Sequence, residues 1–291
     1  MRVHLIDGTY ELFRHFFGVP SHVSDDGREV GAVRGVLSSV LGMIDEGASH
    51  VGVATDHVIE SFRNDLWPGY KTAAGVDATL LAQFGLLEDA LVALGVTVWA
   101  MVDWEADDAM ASAAMVAAAD DTVEQVVICT PDKDLAQCVT GRRVVQLDRR
   151  QQRLIDEDGV RAKFGVGPAS IPDYLALVGD SADGFPGIPG WGPKSAAALL
   201  ARYGHLEAIP DAPGQWEVSV RGGPKLGATL AAQRPRAMLF KDLATLRTEP
   251  PVLDAVATLR WRGPTGDFAD LADRIDASGL ARRARSLAEG R

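Results

Sequence analysis

Acidic side chains recur at the ends of hydrophobic segments in the first 190 residues. Asp7 follows Val3–Ile6 directly, and Asp56 follows Val51–Thr55 directly. Further acids follow later segments: Glu105, Asp107, Asp108, Asp132, Asp134, Asp180 and Asp183. Asp180 and Asp183 are spaced i, i+3, so they would share one face of a helical turn. Carboxylates are hard oxygen ligands, and such ligands favour Mg²⁺ or Mn²⁺.

Nine carboxylates brought together without a matching cluster of bases would repel one another, so the pattern calls for cations. Two divalent ions about 4 Å apart can activate a water and stabilise the leaving oxygen of a phosphodiester. Singly, each acid has a simpler explanation: Asp7 could cap a helix, and Asp107 or Asp108 could interact with the positive end of one. Their joint occurrence at several strand ends favours a metal centre.

The elements that must position these acids alternate between strand and helix. Hydrophobic runs at 3–6, 51–55, 96–99, 125–130 and 144–147 predict strands. Between them, apolar residues at three- and four-residue spacing predict helices at 31–46, 79–94 and 105–119. This alternation predicts an α/β fold with a mostly parallel sheet and flanking helices, in which all strand-end acids face one rim.

Beyond residue 156 glycine and proline replace the strand pattern. Helices are expected at 194–203, 224–232 and 235–246, and the tail from 259 to 291 is expected to form a packed or frayed helix. We therefore predict two domains, an α/β domain over 1–170 and a helical domain over 171–291.

Composition narrows the class of protein. The 291 residues are 47% hydrophobic and include two cysteines, Cys129 and Cys138, which excludes a disulfide framework and a cysteine-based zinc site. With no signal-like or membrane-spanning apolar segment, we expect a cytoplasmic protein.

The net charge of −11 is unevenly distributed. Residues 1–190 carry 29 acidic and 14 basic side chains, whereas residues 191–291 carry 11 and 15. The excess of acid is confined to the part with the predicted metal centre, and the basic remainder permits binding to nucleic acid.

Six ordered segments extend this interpretation to a family. They are IDGTYELFR, DHVIESFRNDLWPGYK, WEADDAMAS, TPDKDLAQCV, GDSADGFPGIPGWGPKSAAALL and LFKDLATLRTEPP, and they span about residues 2 to 250. Together they resemble the 5′-nuclease superfamily of flap endonucleases and 5′-3′ exonucleases, especially the 5′-nuclease domain of bacterial DNA polymerase I. The resemblance implies a PIN-like nuclease fold followed by a helical domain with a helix-hairpin-helix-type motif.

The resemblance also assigns roles to individual residues. All nine acids match the family's metal-binding positions. Lys71 matches the active-site lysine at the base of the arch, and Arg14 and Arg63 match basic positions near the scissile phosphate. Tyr70 is placed to stack on a base, although it could instead belong to the core, and Arg63 could instead pair with Asp65 or Glu60.

The segment after Lys71 departs from the family pattern. Ala74 stands where the family commonly has an arginine, and no basic residue follows Lys71 before Lys133. We expect a short arch that is poor in positive charge and, as a consequence, weakened or altered substrate preference.

The glycine-rich turn at 187–194 resembles the family's hairpin motif. Gly190 and Gly192 would let backbone N–H groups approach a phosphate at the start of a helix, with charge from Lys194. The resemblance further implies a K⁺ site that uses Ser195. Other basic residues expected along duplex DNA are Lys225, Arg234, Arg236 and Lys241.

The function predicted by the residues and the resemblance together is a structure-selective 5′ nuclease that acts on DNA with 5′ flaps, ends or junctions in replication and repair. We expect it to act as a monomer near the nucleoid, with Mg²⁺ or Mn²⁺ as cofactor. A DNA-junction binding protein with weakened catalysis and an RNA-cleaving PIN-like nuclease remain alternatives. An aspartyl-phosphate phosphatase is disfavoured because Asp7 is followed by Gly8 and Thr9, without the second acid its chemistry needs.

Overall fold

The strands and helices are distributed along the whole chain of the computed structural model, which describes residues 1–290. The strands are β1 Arg2–Asp7, β2 His50–Asp56, β3 Thr97–Met101, β4 Gln125–Cys129, β5 Val144–Asp148 and β6 Arg153–Ile155. The helices are α1 Gly8–Gly18, α2 Gly31–Asp45, α3 Arg63–Leu66, α4 Ala78–Leu81, α5 Gln83–Ala93, α6 Ala106–Ala119, α7 Glu157–Phe164, α8 Ile171–Val178, α9 Pro193–Tyr203, α10 Gly223–Ala244, α11 Phe268–Arg274 and α12 Ser278–Glu289. A 3₁₀ helix spans Asp134–Cys138.

Contacts divide the chain into two compact units that are both discontinuous in sequence. The first unit comprises Met1–Ile59, Ala73–Thr130 and Thr248–Arg291, and the second comprises Glu60–Thr72 and Pro131–Arg247. This division differs from the linear boundary predicted at residue 170. The reason is that the chain after residue 247 packs with the first unit, while the segment around α3 packs with the second.

The first unit contains four parallel strands in the order β3-β2-β1-β4. Every residue of β2 is buried, as expected of a strand covered on both faces in a parallel sheet. The predicted strands are present with ends shifted by one or two residues, so the mostly parallel α/β fold is confirmed.

Helices of the first unit bury the apolar stripes that predicted them. In α2 the fully buried positions recur at helical spacing, at Val33, Val36, Leu37, Val40, Leu41 and Ile44. The single helix predicted over 79–94 is divided into α4 and α5 at Ala82. In the tail, α12 packs on α2 and α11 packs on α5, so the expected tail helix is two short helices.

The second unit is mainly helical and has its own core. This core includes Phe185, Trp191, Leu199, Leu230 and Phe240. Here β5 and β6 pair antiparallel, and β6 was not predicted because its three residues are too few to show a period. The two helices predicted at 224–232 and 235–246 are two limbs of α10, divided at Gln233, where φ is −120° and ψ is 16°. Pro235 accounts for the break because proline removes a backbone donor and crowds the preceding turn.

Across residues 1–290, no helix combines the length and the hydrophobicity needed to cross a membrane.

Candidate metal centre

Asp7 ends β1 and also begins α1. Its Oδ1 accepts from the Tyr10 amide at 2.7 Å, and its Oδ2 accepts from Thr130 Oγ1 at 2.9 Å. The next residue must be glycine for steric reasons, since a Cβ on Gly8 would lie 2.7 Å from Val53 Cγ1. The helix-capping role of Asp7 is thus present, and the carboxylate is held at the carboxyl end of β1 with 6% of the residue exposed.

Asp56 and the start of α6 are joined directly. Asp56 Oδ1 accepts from the Ala106 amide at 2.7 Å. Glu105 and Asp108 form a reciprocal capping box at this helix terminus, and Asp108 Oδ2 accepts from the Glu105 amide at 3.1 Å. Since β1 and β2 are parallel neighbours, the structure places Asp7 and Asp56 at adjacent strand ends of the first unit, with Asp107 half-buried in the first turn of α6.

In the second unit three of the predicted ligands converge. Each of Asp134, Asp180 and Asp183 offers one carboxylate oxygen, and these oxygens lie within 4.8 Å of one another. Asp134 and Asp180 are 4% and 2% exposed. Three closely spaced, largely buried oxygen donors fit a hard divalent cation such as Mg²⁺ or Mn²⁺.

A tight loop after α8 supplies two of these acids. Asp180 and Phe185 exchange two backbone hydrogen bonds, of 2.8 and 3.0 Å, and the Asp180 Oδ1 atom accepts from the Ala182 amide at 2.9 Å. Asp183 lies within the loop that this pairing closes. Asp132 helps to position Asp134, because the Asp132 Oδ1 atom accepts from the Asp134 amide at 3.0 Å.

Two lysines face this group of carboxylates. Lys71 Nζ lies 3.6 Å from Asp183 Oδ1, and Lys133 Nζ lies 2.6 Å from Asp180 Oδ2. Burial acts to lower the pKa of Lys133, but the hydrogen bond and charge of Asp180, followed by the charges of Asp134 and Asp132, raise the pKa overall. Lys133 was not predicted as a site residue. Its position between the predicted ligands Asp132 and Asp134 was the signal that could have identified it.

The other predicted catalytic cations have defined roles within the fold. Arg63 is fully buried; its Nε and Nη2 donate to the carbonyl oxygens of Leu243 and Thr245, at 2.8 and 3.1 Å, so it binds the C-terminal end of α10. Arg14 Nη2 donates to Glu11 Oε2 at 2.5 Å.

Tyr70 is 3% exposed and belongs to the core of the second unit. This placement matches the core role that the sequence left open for Tyr70, rather than an exposed ring ready to stack on a base.

The hairpin motif begins α9 as expected. Gly190 has φ of +85°, in the region that favours glycine. Ser195 Oγ accepts from the Gly192 amide at 3.2 Å and donates to the Gly192 carbonyl at 3.0 Å. Lys194 is exposed in the first turn of α9, where backbone N–H groups and the helix dipole favour anions.

The four other basic residues predicted to contact DNA fall into two groups. Lys225 and Arg236 are exposed, and the Arg236 guanidinium lies 5.1 Å from the Trp67 ring centroid. Arg234 instead donates to Asp211 Oδ1 at 2.6 Å, and Lys241 Nζ lies 2.8 Å from Asp173 Oδ1. The last two therefore form ion pairs within the unit.

Comparison with known protein families covers almost the whole chain. Residues 2–165 match the 5′-3′ exonuclease, N-terminal resolvase-like domain, and residues 166–267 match the 5′-3′ exonuclease, C-terminal SAM fold. The chain belongs to the 5′-3′ exonuclease family. The predicted family and enzyme class are thereby confirmed.

A curated relative agrees with this family assignment. DNA polymerase I of Pseudomonas aeruginosa is 36% identical over 255 residues, a match that covers 84% of this chain and 27% of the polymerase. The chain thus spans little more than a quarter of the length of this curated relative.

Two solved structures share the fold. The bacteriophage T5 flap endonuclease, in a pseudo-enzyme-product complex with DNA and metal ions, aligns with a TM-score of 0.67 at 20% identity over 99% of this chain and all of the other. The catalytic core of Rad2 in complex with DNA substrate aligns with a TM-score of 0.63 at 14% identity, over 98% and 90% of the two chains.

Proposed function

We propose that this member of the 5′-3′ exonuclease family hydrolyses DNA phosphodiesters at 5′ flaps, ends or junctions and requires Mg²⁺ or Mn²⁺. The observation that carries the proposal is the convergence of Asp134, Asp180 and Asp183 in the second unit, with Lys71 3.6 Å from Asp183. A dense group of carboxylates with a lysine beside it suits a reaction that needs both divalent cations and a fixed positive charge.

Asp134, Asp180 and Asp183 would hold one ion, and Asp132 would orient Asp134 through the hydrogen bond to its amide. The acids proposed as metal ligands in the first unit are Asp7, Asp56, Glu105, Asp107 and Asp108. When bound, divalent ions would supply an activated water and stabilisation of charge on the leaving oxygen. The protein's contribution is to hold the carboxylates in place before an ion arrives, through the strand-end, capping and loop hydrogen bonds described above.

Lys71 would neutralise charge that develops on the scissile phosphate. Its side chain is 24% exposed, so it is screened from water on most sides but open to a substrate. Fixed cations of this kind stabilise a transition state because they need no reorganisation during the reaction.

DNA binding would use the start of α9 and the exposed cations near it. The Gly190–Lys194 turn would contact a backbone phosphate, and Lys225 and Arg236 would add charge along the duplex. A K⁺ ion at Ser195 would use the second lone pair of the hydroxyl, since the first accepts from the Gly192 amide and the hydrogen is donated to the Gly192 carbonyl oxygen. Arg234 and Lys241 would act indirectly, because each already binds a carboxylate.

Incubation of a 5′-labelled double-flap DNA with the purified protein and Mg²⁺ or Mn²⁺ tests this function. We expect cutting near the junction of single strand and duplex, no cutting in EDTA, and no cutting by Asp180→Asn, whose duplex affinity should be retained. Asp158→Asn, which removes an exposed acid of α7 in the same unit, is the matched control and should cut normally.

A matched RNA flap tests whether the protein prefers DNA or RNA. We expect the DNA flap to be cut faster. Tight binding of the DNA flap without cutting under either ion would instead favour a junction-binding protein. We further propose that the protein acts as a monomer, since a single strand end engages a single site. The molecular mass of the DNA complex in solution checks this stoichiometry. We also propose that it acts in the cytoplasm near the nucleoid.

A further inference from the structure

Lys133 makes a close contact with one of the carboxylates proposed to bind metal in the second unit. It lies between Asp132 and Asp134, but its Nζ reaches Asp180, 47 residues away in sequence, at 2.6 Å from Oδ2. The Asp180 side chain is 2% exposed and that of Lys133 is 35% exposed. The contact therefore places a partly exposed cation on a nearly inaccessible carboxylate.

A buried carboxylate requires compensation, because the removal of a charge from water is costly unless a partner is present. In Asp180 the two oxygens are both engaged: Oδ1 accepts from the Ala182 amide and Oδ2 contacts Lys133. The negative charges of Asp132 and Asp134 also act on the Lys133 ammonium. A divalent ion bound to Asp180 would have to lie close to this ammonium group, and the two cations would repel each other.

We propose that Lys133 is a built-in counter-ion of the metal site, which occupies Asp180 in the metal-free protein and must withdraw from it when a divalent ion binds. The ammonium then has two effects. It keeps the Asp180 loop folded before metal arrives, and it weakens metal binding by competing for the same carboxylate. The inference rests on the proposed use of Asp134, Asp180 and Asp183 as metal ligands.

The structure offers Lys133 a place to withdraw to. A cavity of about 450 Å³ lies beside the loop, lined by Lys133, Val178, Gly179, Ser181, Gly184, Phe185 and Pro186. With more than a third of its side chain already exposed, Lys133 can rotate toward water without opening the core. Lys71 differs because its nitrogen lies 3.6 Å from Asp183 rather than in close contact.

Calorimetric titration with Mn²⁺ measures the competition directly. We expect Lys133→Met to bind Mn²⁺ about tenfold or more tightly, the size of effect that neighbours of metal ligands commonly produce. In EDTA the same variant should unfold at a lower temperature, and added Mn²⁺ should reverse this loss. Arg221→Met, which removes an exposed basic side chain just before α10 in the same unit, is the control and should match the unsubstituted protein.

The Asp180→Asn variant separates the two levels of the argument. If Asp180→Asn weakens Mn²⁺ binding but Lys133→Met does not strengthen it, the role of Lys133 is overturned and the metal site stands. Unchanged Mn²⁺ affinity in Asp180→Asn would overturn the proposed site and the inference together.

A measurement on the unsubstituted protein covers the case in which Lys133→Met does not fold. Mass spectrometry after brief acetylation reports how accessible each lysine is, with the exposed Lys225 as the internal reference. Mn²⁺ should increase acetylation of Lys133 relative to Lys225, because the ammonium leaves Asp180. Equal or reduced acetylation would show that metal binding leaves the contact in place, and would overturn the proposal.

Discussion

Lys71 contacts Asp183 through both its backbone and its side chain. The Lys71 amide donates to the Asp183 carbonyl oxygen at 3.1 Å, and Lys71 Nζ lies 3.6 Å from Asp183 Oδ1. Asn64 Nδ2 adds a hydrogen bond to the Lys71 carbonyl oxygen at 3.0 Å. The backbone contacts would survive removal of the side-chain charge. The position of the segment and the charge it presents can therefore be tested separately.

The substitution Lys71→Met should slow DNA cleavage by about 100-fold or more, the usual effect of removing a fixed group that stabilises charge in a transition state. Single-turnover rates at saturating protein measure this effect. Circular dichroism should stay close to that of the unsubstituted protein, because the backbone hydrogen bonds remain. Lys194→Met is the comparison: it should weaken duplex binding yet retain the rate at saturation. A Lys71→Met rate within a few-fold of normal would remove Lys71 from the reaction.

Gly184→Ala should destabilise the second unit by about 2 kcal/mol or more, since it combines an unfavourable backbone conformation with a steric clash. Gly184 has φ of +82°, and a Cβ there would lie 2.0 Å from the Gly69 carbonyl oxygen. It would also disturb the bond from Trp67 Nε1 to the Gly184 carbonyl oxygen, 3.1 Å long. Urea unfolding measures the loss.

Gly222→Ala isolates the steric part of this effect. Gly222 has a similar φ of +77° but open space around the added carbon, so its cost should be about 1 kcal/mol. Equal decreases in the free energy of unfolding of the two variants would mean that the close approach of Gly184 to Gly69 does not contribute to the cost of Gly184→Ala.

Lys241→Met should lower the free energy of unfolding by about 2 kcal/mol at neutral pH, because it removes a charged partner from a fully buried carboxylate. Asp173 is 0% exposed, and it would retain only its contacts with His205 Nδ1 and the Leu206 amide, both at 2.9 Å. Lys225→Met, on the exposed surface of α10, should change stability by less than about 0.5 kcal/mol.

The effect of Lys241→Met should depend on pH in the alkaline range. Burial acts to lower the pKa of Lys241, but hydrogen bonds to Asp173 and Glu207 raise it overall above its ordinary 10.5. Stability from a raised lysine pKa is complete below the unfolded value and is lost as the pH rises through the folded value. The difference in unfolding free energy between the two proteins should therefore shrink above pH 10.5. A constant difference up to strongly alkaline pH would rule out the ion pair as its source.

Ala74→Arg should increase the affinity or turnover for flap DNA by restoring a positive charge at an exposed position of the chain after Lys71. One added phosphate contact steepens the dependence of binding on salt by about one unit of the logarithmic slope. Ala74→Gln, which adds length without charge, is the control. Binding isotherms at several salt concentrations give the slope, and an unchanged slope with unchanged turnover would remove the idea that the missing arginine limits this protein.

Local patterns were sufficient where neighbours in sequence control the outcome. The buried runs around Leu5 and Val53 predicted parallel strands, because continuous hydrophobicity is the signature of a sheet covered on both faces. Asp7 and Asp56 could be placed at strand ends for the same reason. Helix α1 was not predicted because Asp7 is both the last residue of β1 and the N-cap of α1. No loop separates the two elements, so the sequence has no turn residues between them.

What the amino-acid sequence determined by itself was the positions of the acids, the family and the order of the longer strands and helices of the α/β part, since these depend on residue type and spacing along the chain. The tertiary structure alone decided which partner each charge would have. It buried Arg63 against α10 and Tyr70 in a core, and it brought Lys133 to Asp180 across 47 residues. Such pairings follow from packing between distant segments, and a periodic pattern carries no information about them.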